Sequence, residues 1–387
     1  MRRSHFLRLM AGFGLSLFAA CAGPQPTPSP RPTPSPTPTP AAAGPMRSPD
    51  YAVHVFLWGS PQAERDLRLV KEMGFTWIKQ QFEWRYIEPH RKGTFEWQEP
   101  DRLVALAERY GLKILARVDN QPRWSRSDTL FPGVGPPDRL EDFADFLTAL
   151  ATRYRGRIQA YEIWNEPNLA REWGNRPPNP TEYVAMLRLA YQAIKKADPQ
   201  AIVISAGLAP TTASGAVAMP DTDFLRRMYQ AGARDFCDVL GVHAAGYKAP
   251  PEMSPDEVAV NPRYNHGEPG VGRIYCFRHV EDLRAIMVEF GDAQKQVAVL
   301  EMGWTSDTRP GSPYAWHAVT EEEKADYLVR AFQYAAQHWR PWIGVMTVIY
   351  IASPTWTRDH EQYYWAITET DGTPRPAYRA LQRLPKS

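Results

Sequence analysis

Eight short apolar segments, separated by longer amphipathic ones, constrain the fold of this chain more than any other feature. Most of these segments are continuous apolar runs, which is typical of parallel strands covered on both faces. The intervening segments carry helical spacing and helix-start signals, such as Asn179 before Pro180 and the capping-box pair Thr320 and Glu323. The predicted strands are 51–59, 77–82, 113–119, 158–164, 201–207, 239–244, 297–303 and 343–351.

Eight repeats of strand and helix over roughly 330 residues predict an α/β fold, a single (β/α)₈ TIM barrel that occupies residues 48–387. An open, doubly wound sheet is the alternative. No G-x-G-x-x-G turn follows the first predicted strand, which disfavours a dinucleotide-binding fold. In a barrel the reactive groups lie at the carboxyl ends of the strands, so the residues that end each apolar run are the candidates for chemistry.

The first 47 residues predict export and a spacer. Arg2, Arg3 and Arg8 flank the start of an apolar run that ends at Cys21, so residues 1–21 read as a signal peptide. The sequence around Cys21 resembles the lipid-attachment box of bacterial lipoproteins; plain secretion and a retained anchor are the alternatives. Prolines at every second position predict a disordered linker over residues 22–47. We expect an exported protein, extracellular or lipid-anchored on the outer face of a bacterial membrane.

Composition limits the partners and cofactors. The 387 residues include 45 basic and 43 acidic side chains, a balance that gives no reason to expect a nucleic-acid partner. Three cysteines and nine scattered histidines predict no metal site and no disulfide framework. Cys237 and Cys276 are predicted to lie in the exported part, so they either pair or remain buried thiols. We expect a monomer that needs no cofactor.

Two glutamates end predicted strands that are far apart in the sequence. Glu166 follows the fourth strand directly after Asn165, and Glu301 lies at the end of the seventh. In a barrel both side chains would face the same cavity at the carboxyl ends of the strands. Two carboxylates on either side of one glycosidic bond are the groups that glycoside hydrolysis requires. The alternatives for each residue alone are a carboxylate at a helix N-terminus and a salt-bridge partner.

Three segments carry a resemblance to a known group of enzymes. EIWNEPN at 162–168, LEMGW at 300–304 and the segment 93–118 resemble the clan A glycoside hydrolases, which are retaining (β/α)₈ enzymes. The segments look most like family 39 and its endo-acting relatives, with the cellulase-like family 5 as second choice. The resemblance implies that Glu166 is the acid/base, that Glu301 is the nucleophile and that Asn165 binds the sugar 2-hydroxyl.

The chain departs from the clan pattern at two positions. Clan members usually carry a tyrosine two residues after the histidine of strand six, and here that position, after His243, is Ala245. Tyr247 is the candidate substitute, with loop packing as the alternative. Clan members often carry an arginine on strand two near the nucleophile, and the matching residue here is Lys79, unless it points outward between helices.

Aromatic and amide side chains at other strand ends are candidates for sugar binding. Trp58 lies at the end of strand one, Asn120 and Trp124 follow strand three, and Trp356 follows strand eight. Aromatic rings stack on the apolar faces of sugars. A long loop at 248–278, rich in proline and glycine, is expected to wall the cleft or to cover helix six.

We therefore expect a retaining β-glycoside hydrolase that acts on an oligo- or polysaccharide by double displacement. This mechanism requires carboxyl groups ~5–5.5 Å apart, with the pKa of Glu166 raised and Glu301 ionised. A carbohydrate-binding barrel without turnover and a cell-envelope transglycosylase are the alternatives. The sequence leaves open the sugar, the linkage and whether cleavage is internal or terminal.

Overall fold

A closed barrel of eight parallel strands forms the centre of this computed structural model, which describes residues 44–386. Each strand pairs with its successor, and the eighth closes the barrel against the first, with Ala52 opposite Thr347. The predicted (β/α)₈ barrel is confirmed, and the open sheet is excluded. The strands are β1 (Asp50–His54), β2 (Trp77–Gln81), β3 (Lys113–Val118), β4 (Ala160–Ile163), β5 (Ile202–Ser205), β6 (Val239–Ala245), β7 (Gln296–Gly303) and β8 (Ile343–Val348).

Several strands end earlier than the sequence predicts. β1 stops at His54 rather than at residue 59, and β8 stops at Val348 rather than at residue 351. The apolar runs continue because the residues beyond the ladder, including Phe56 and Tyr350, line the mouth of the barrel rather than its core. Apolar character alone therefore does not separate the strand from the rim that follows it.

Amphipathic helices pack their buried faces against the strands. Two predicted helix starts are confirmed: the Asn179 side chain accepts from the N–H of Glu182, and Thr320 forms a capping box with Glu323. The helices among the described residues are α1 (Ala63–Glu72), α2 (Trp84–Ile87), α3 (Gln98–Arg109), α4 (Leu140–Arg153), α5 (Pro180–Ala197), α6 (Asp221–Gln230), α7 (Pro255–Val260), α8 (Val280–Glu289), α9 (Glu321–His338), α10 (Gln362–Trp365) and α11 (Pro376–Arg383).

The lower half of the barrel interior is an apolar layer made mostly of small and branched side chains, together with one tryptophan, and the upper half holds polar groups. The segment before β1 closes this end, where the side chain of Gln296 bonds both the N–H and the carbonyl of Met46. Residues 1–43, and with them the predicted signal peptide, Cys21 and most of the predicted linker, lie outside the described residues. The apolar layer contains Ala52, Trp77, Leu115, Ala160, Ile204, Val239, Ala298, Leu300 and Val345.

The long loop between β6 and α8 is structured. It contains α7, which begins with a capping box between Ser254 and Glu257, and a small apolar cluster that includes Tyr275 and Cys276. Cys276 and Cys237 are both buried and both free, so the two thiols do not pair in this structure. Within residues 44–386 no helix is long and apolar enough to cross a bilayer, and no group of three or more metal-ligating side chains occurs.

A buried histidine makes the stability of the barrel depend on pH. His279 lies 2.8 Å from Asp221 of α6 and 3.0 Å from Asp282 of α8. Burial lowers the pKa of His279, but the two carboxylates outweigh burial and raise it to about 9. A raised pKa adds stability that is complete below the unfolded value, about 6.5, and is lost as the pH rises through 9.

We therefore expect the free energy of unfolding to fall between pH 6.5 and 9 by on the order of 3 kcal/mol through this group. Urea unfolding at a series of pH values measures the fall. His279→Gln should flatten it, whereas His338→Gln, at an exposed position of α9, should leave it unchanged. An equal fall in all three proteins would contradict the assignment.

Candidate active site

The carboxyl ends of β4 and β7 bring Glu166 and Glu301 to one cavity at the mouth of the barrel. Glu301 lies within β7, and Glu166 follows β4 with a φ of 40°, in the left-handed region that side chains rarely adopt. The N–H of Glu166 donates to the carbonyl of Gly207 at 3.1 Å, which ties this turn to the segment after β5. The cavity of about 720 Å³ has the size of a small-molecule site.

His243 stands between the two carboxylates. Its Nδ1 lies 3.1 Å from Glu166 Oε1 and 4.0 Å from Glu301 Oε2. A register shift after Val242 places His243 directly opposite Glu301 in the pairing of β6 with β7. The two carboxylate oxygens are at most 7.1 Å apart, the sum of these distances. The ~5–5.5 Å of retaining glycosidases fits this bound, and most of the ~6.5–9.5 Å range of inverting enzymes exceeds it.

Two cations lie beneath Glu301. Lys79 Nζ is 3.4 Å from Glu301 Oε1 and 2.8 Å from Glu162 Oε2, and both Lys79 and Glu162 are fully buried. Arg117 lies 3.5 Å from the same oxygen of Glu301 and 2.8 Å from Asp119. Lys79 thus lies beside Glu301, as the resemblance implies, and does not point outward between helices. Its β2 position points into the barrel interior and leaves it no accessible surface, so it supports the carboxylate above it and is not one of the residues that can bind substrate directly.

The charges around the two glutamates set their protonation. Burial raises the pKa of Glu301, but His243 and Lys79 outweigh burial and lower it to about 2. Burial likewise raises the pKa of Glu166, but the hydrogen bond and charge of His243, joined by Arg171, lower it to about 2. Burial lowers the pKa of His243, yet the two glutamates raise it above its usual value. The expected raised pKa of Glu166 is therefore not found in this arrangement, in which the two carboxylates favour the protonated form of His243.

A family model of cellulases, the glycosyl hydrolase family 5, matches residues 40–231. This range includes β1 to β5 and Glu166. Over this range the chain carries a family 5 domain of the clan A glycoside hydrolases. A search of curated protein sequences finds no match to this chain.

Solved structures with the same barrel include three glycosidases. The chain superposes on a family 39 glycoside hydrolase from Bacteroides cellulosilyticus WH2 with 23% identity and a TM-score of 0.62, covering 88% of this chain and 64% of that one. For the family 39 enzyme from Xanthomonas axonopodis pv. citri the identity is 15% and the TM-score is 0.59, with 88% of this chain and 67% of that one covered. For xylanase 10B from Thermotoga maritima the identity is 14% and the TM-score is 0.55, with 88% of this chain and 95% of that one covered. This chain thus spans less than two thirds of the first of these proteins.

Four of the candidate site residues from the sequence line the cavity: Asn165, His243, Tyr247 and Trp356. Asn165 lies beside Arg117, whose Nη1 is 3.5 Å from its Oδ1. The Tyr247 hydroxyl donates to the carbonyl of Pro210 at 3.4 Å, and its ring packs against the loop cluster. The possibility that Tyr247 orients the nucleophile is therefore contradicted, because its hydroxyl is directed to the backbone and Glu301 is held by His243 and the buried cations.

Three predicted sugar-binding residues lie outside the cavity lining. Trp58 packs against Tyr86 with ring centres 5.9 Å apart. The Trp124 indole donates to the carbonyl of Glu88 at 2.7 Å, and Asn120 donates to Glu83 at 2.8 Å. The loops after β1 and β3 turn these side chains to neighbouring loops and helices, so the structure does not bring them to this cavity. Trp356, in contrast, packs against Phe56 and Tyr350 in the cavity wall.

The structure adds residues that the sequence prediction missed. His54 faces the cavity with both ring nitrogens unpartnered, and its pKa is lowered well below the usual value, chiefly by burial. Tyr350 lies close enough to Glu301 for that charge, after burial, to raise the pKa of the phenol. Arg117 and His54 each lie two positions after a residue of the apolar layer. Because alternate residues of a strand face the same side, the sequence pattern of these strands could have predicted that both side chains point into the barrel. Arg171, Glu172 and Glu361, on loops, carried no such signal.

Proposed function

We propose that the chain is a retaining β-glycoside hydrolase of an oligo- or polysaccharide, with Glu301 as nucleophile and Glu166 as acid/base. The observation that carries the proposal is the position of both carboxylates in one cavity, within 3.1 and 4.0 Å of a single imidazole nitrogen. Their maximum separation allows both to reach one glycosidic bond from opposite sides.

The reaction proceeds in two displacements. In the first, Glu301 attacks the anomeric carbon, the bond to the leaving oxygen breaks, and Glu166 transfers its proton to that oxygen. In the second, Glu166 takes a proton from water, which attacks the same carbon and releases Glu301 from its ester. The cations beneath Glu301 keep it ionised and orient it for attack.

His243 supplies the proton that Glu166 needs. The proton rests on His243 at the start, because both carboxylates stabilise the imidazolium. Substrate that enters the cavity excludes water and separates Glu166 from Arg171, and both changes raise the pKa of Glu166. The proton then moves along the existing hydrogen bond, whose nitrogen and oxygen lie 3.1 Å apart, to Glu166 Oε1 and leaves a neutral imidazole.

This sequence of events predicts the pH profile of kcat/KM. As the pH rises through the raised pKa of His243, the proton is lost and activity should fall. His243→Gln should move that alkaline limb to lower pH by about one unit or more, since Glu166 must then hold the proton itself. His338→Gln should keep the wild-type profile, and an unchanged limb in His243→Gln would contradict the role of the imidazole.

A digestion screen over plant and bacterial polysaccharides and aryl β-glycosides tests the function itself. We expect reducing sugar to be released from at least one polysaccharide. A protein that binds carbohydrate without turnover would release none, and a transglycosylase would give products that lengthen when sugar acceptor is added.

We further propose that the hydrolase is exported and held at a bacterial membrane through lipid on Cys21. In a bacterial host the full chain should then appear in the membrane fraction. Cys21→Ser should release it to the soluble fraction, while Cys237→Ser should not. A membrane-bound Cys21→Ser protein would contradict the lipid anchor.

A further inference from the structure

Arg171 places a cation over the mouth of the cavity. It belongs to a 3₁₀ turn, Ala170–Glu172, that follows β4, and its Nη2 lies 2.8 Å from Glu166 Oε2. Its side chain is 69% exposed, whereas that of Glu166 is 15% exposed. The guanidinium therefore covers the acid/base from the solvent side and remains accessible to a ligand that enters the cleft.

The residues that Arg171 contacts indicate on which side of the cleaved bond it lies. It contacts the Glu166 oxygen that His243 does not contact, and among residues 44–386 no ion pair links it to Glu301. In the proposed mechanism the nucleophile lies under the anomeric carbon and the acid/base lies beside the leaving oxygen. A cation that is bound to the acid/base and not to the nucleophile therefore lies on the side of the leaving-group sugar.

The charge of Arg171 loses its main partner when the enzyme is ready to react. Glu166 must carry a proton to act as an acid, and the protonated carboxyl is neutral. The second carboxylate nearby, Glu172, is 3.6 Å from Arg171 Nε, and burial, followed by the charge of Glu166, raises its pKa to about 7. Burial also raises the pKa of Glu361 across the cavity.

The other cations of the site keep their partners throughout this step. Arg117 lines the cavity but is only 15% exposed, and it stays paired with Asp119 and Glu301. Lys79 is fully buried and paired with Glu162. Of the cations near the two catalytic carboxylates, Arg171 is thus the one that is both accessible and left with reduced compensation. An anionic group on the substrate would compensate the positive charge of Arg171. A planar guanidinium is suited to bidentate binding of a carboxylate.

We propose that Arg171 binds a carboxylate of the leaving-group sugar, so that the substrate is an acidic glycan with a hexuronic acid, or a sugar of the same charge, on that side of the cleaved bond. This inference rests on the proposed function. When Glu166 transfers its proton to the leaving oxygen, it becomes negatively charged again. The Glu166 carboxylate then competes with the product carboxylate for Arg171 and repels the acidic product. Binding of the acidic sugar and its release are coupled to the protonation of one carboxyl.

A matched pair of substrates tests the proposal. A panel of uronate-containing polysaccharides is compared with the same polymers after carbodiimide-activated borohydride reduction, which converts each carboxylate to a neutral hydroxymethyl group. We expect wild-type kcat/KM to be about tenfold or more higher on the acidic form, with an advantage that shrinks at high salt. Arg171→Gln should lose the preference and Arg171→Lys should keep part of it.

The controls separate this proposal from the one on which it rests. Arg176→Gln removes a nearby arginine that pairs with Glu182 outside the cavity, and should retain the wild-type ratio. Using the ratio of the two substrates cancels any common effect of Arg171→Gln on Glu166. Affinity electrophoresis of Glu301→Gln in gels that contain each polymer gives the same comparison without turnover.

Cleavage of the reduced polymers as fast as of the acidic ones by wild type would overturn the proposal and leave the hydrolase function intact. An unchanged preference in Arg171→Gln would also overturn it. Failure to cleave any glycan or aryl glycoside would instead contradict the proposed function.

Discussion

Glu301→Gln is expected to lower kcat by at least about 10⁴-fold, because the amide cannot form the glycosyl ester. Glu166→Gln should lower kcat by about 10²–10⁴-fold on substrates with poor leaving groups, since the proton donor is lost. On an aryl glycoside whose phenol leaves without protonation, the first step of Glu166→Gln should be nearly normal. The two variants thus differ in how they respond to the leaving group.

Steady-state kinetics on natural and aryl substrates, with thermal unfolding as a check on folding, measure both effects. Glu83→Gln is the matched control, because Glu83 bonds Asn120 outside the cavity lining and should retain wild-type turnover. Equal activity in all three variants would end the assignment of Glu166 and Glu301.

Lys79→Met is expected to destabilise the barrel by about 3–5 kcal/mol, because it leaves the fully buried Glu162 without its cation. The same change removes one of the cations that hold Glu301 ionised, so kcat should fall as well. The double variant Lys79→Met/Glu162→Leu should recover most of the stability, since an apolar pair can replace a buried ion pair. Activity should not recover with it, because the support of Glu301 is still absent.

Urea unfolding monitored by tryptophan fluorescence gives the free energies. Lys92→Met is the control: Lys92 is 43% exposed and pairs with Asp142 and Asp145, so its loss should cost no more than about 1 kcal/mol. The account of the buried pair fails if Lys79→Met unfolds at the same urea concentration as the wild type.

The fold could be predicted because each apolar run is long enough to specify a strand and the runs recur between amphipathic segments. The exact strand ends could not, since β1 and β8 pass without a change of hydropathy into residues such as Phe56 and Ile351. Glu166 and Glu301 could be located because a carboxylate at the end of a buried strand is costly to desolvate, so its position there indicates a charged partner or a reactive role.

The polar layer beneath Glu301 could also have been predicted from the sequence. Side chains two apart on a strand face the same side, and four strands place a polar residue two positions after a residue of the apolar layer. The sequence prediction considered only Lys79 among them, and its expected position near Glu301 agrees with the structure. The four polar residues are His54, Lys79, Arg117 and Glu162.

The residues on loops could not be placed in this way. A loop has no periodicity, so the sequence does not tell which side chain turns toward the cavity. Trp58 and Trp124 pack on neighbouring loops and helices while Trp356 lines the cavity, although all three follow strands. Arg171 reaches Glu166 through the turn after β4, five residues along the chain.

The configuration of azide products tests the roles of the two glutamates most directly. With an activated β-glycoside, Glu301→Gly should give the α-glycosyl azide, because azide enters from the face that the nucleophile has vacated. Glu166→Ala should give the β-glycosyl azide, because azide replaces water on the glycosyl ester. Proton NMR of the anomeric signal distinguishes the two products. A β-azide from Glu301→Gly, or an α-azide from Glu166→Ala, would contradict double displacement through these residues.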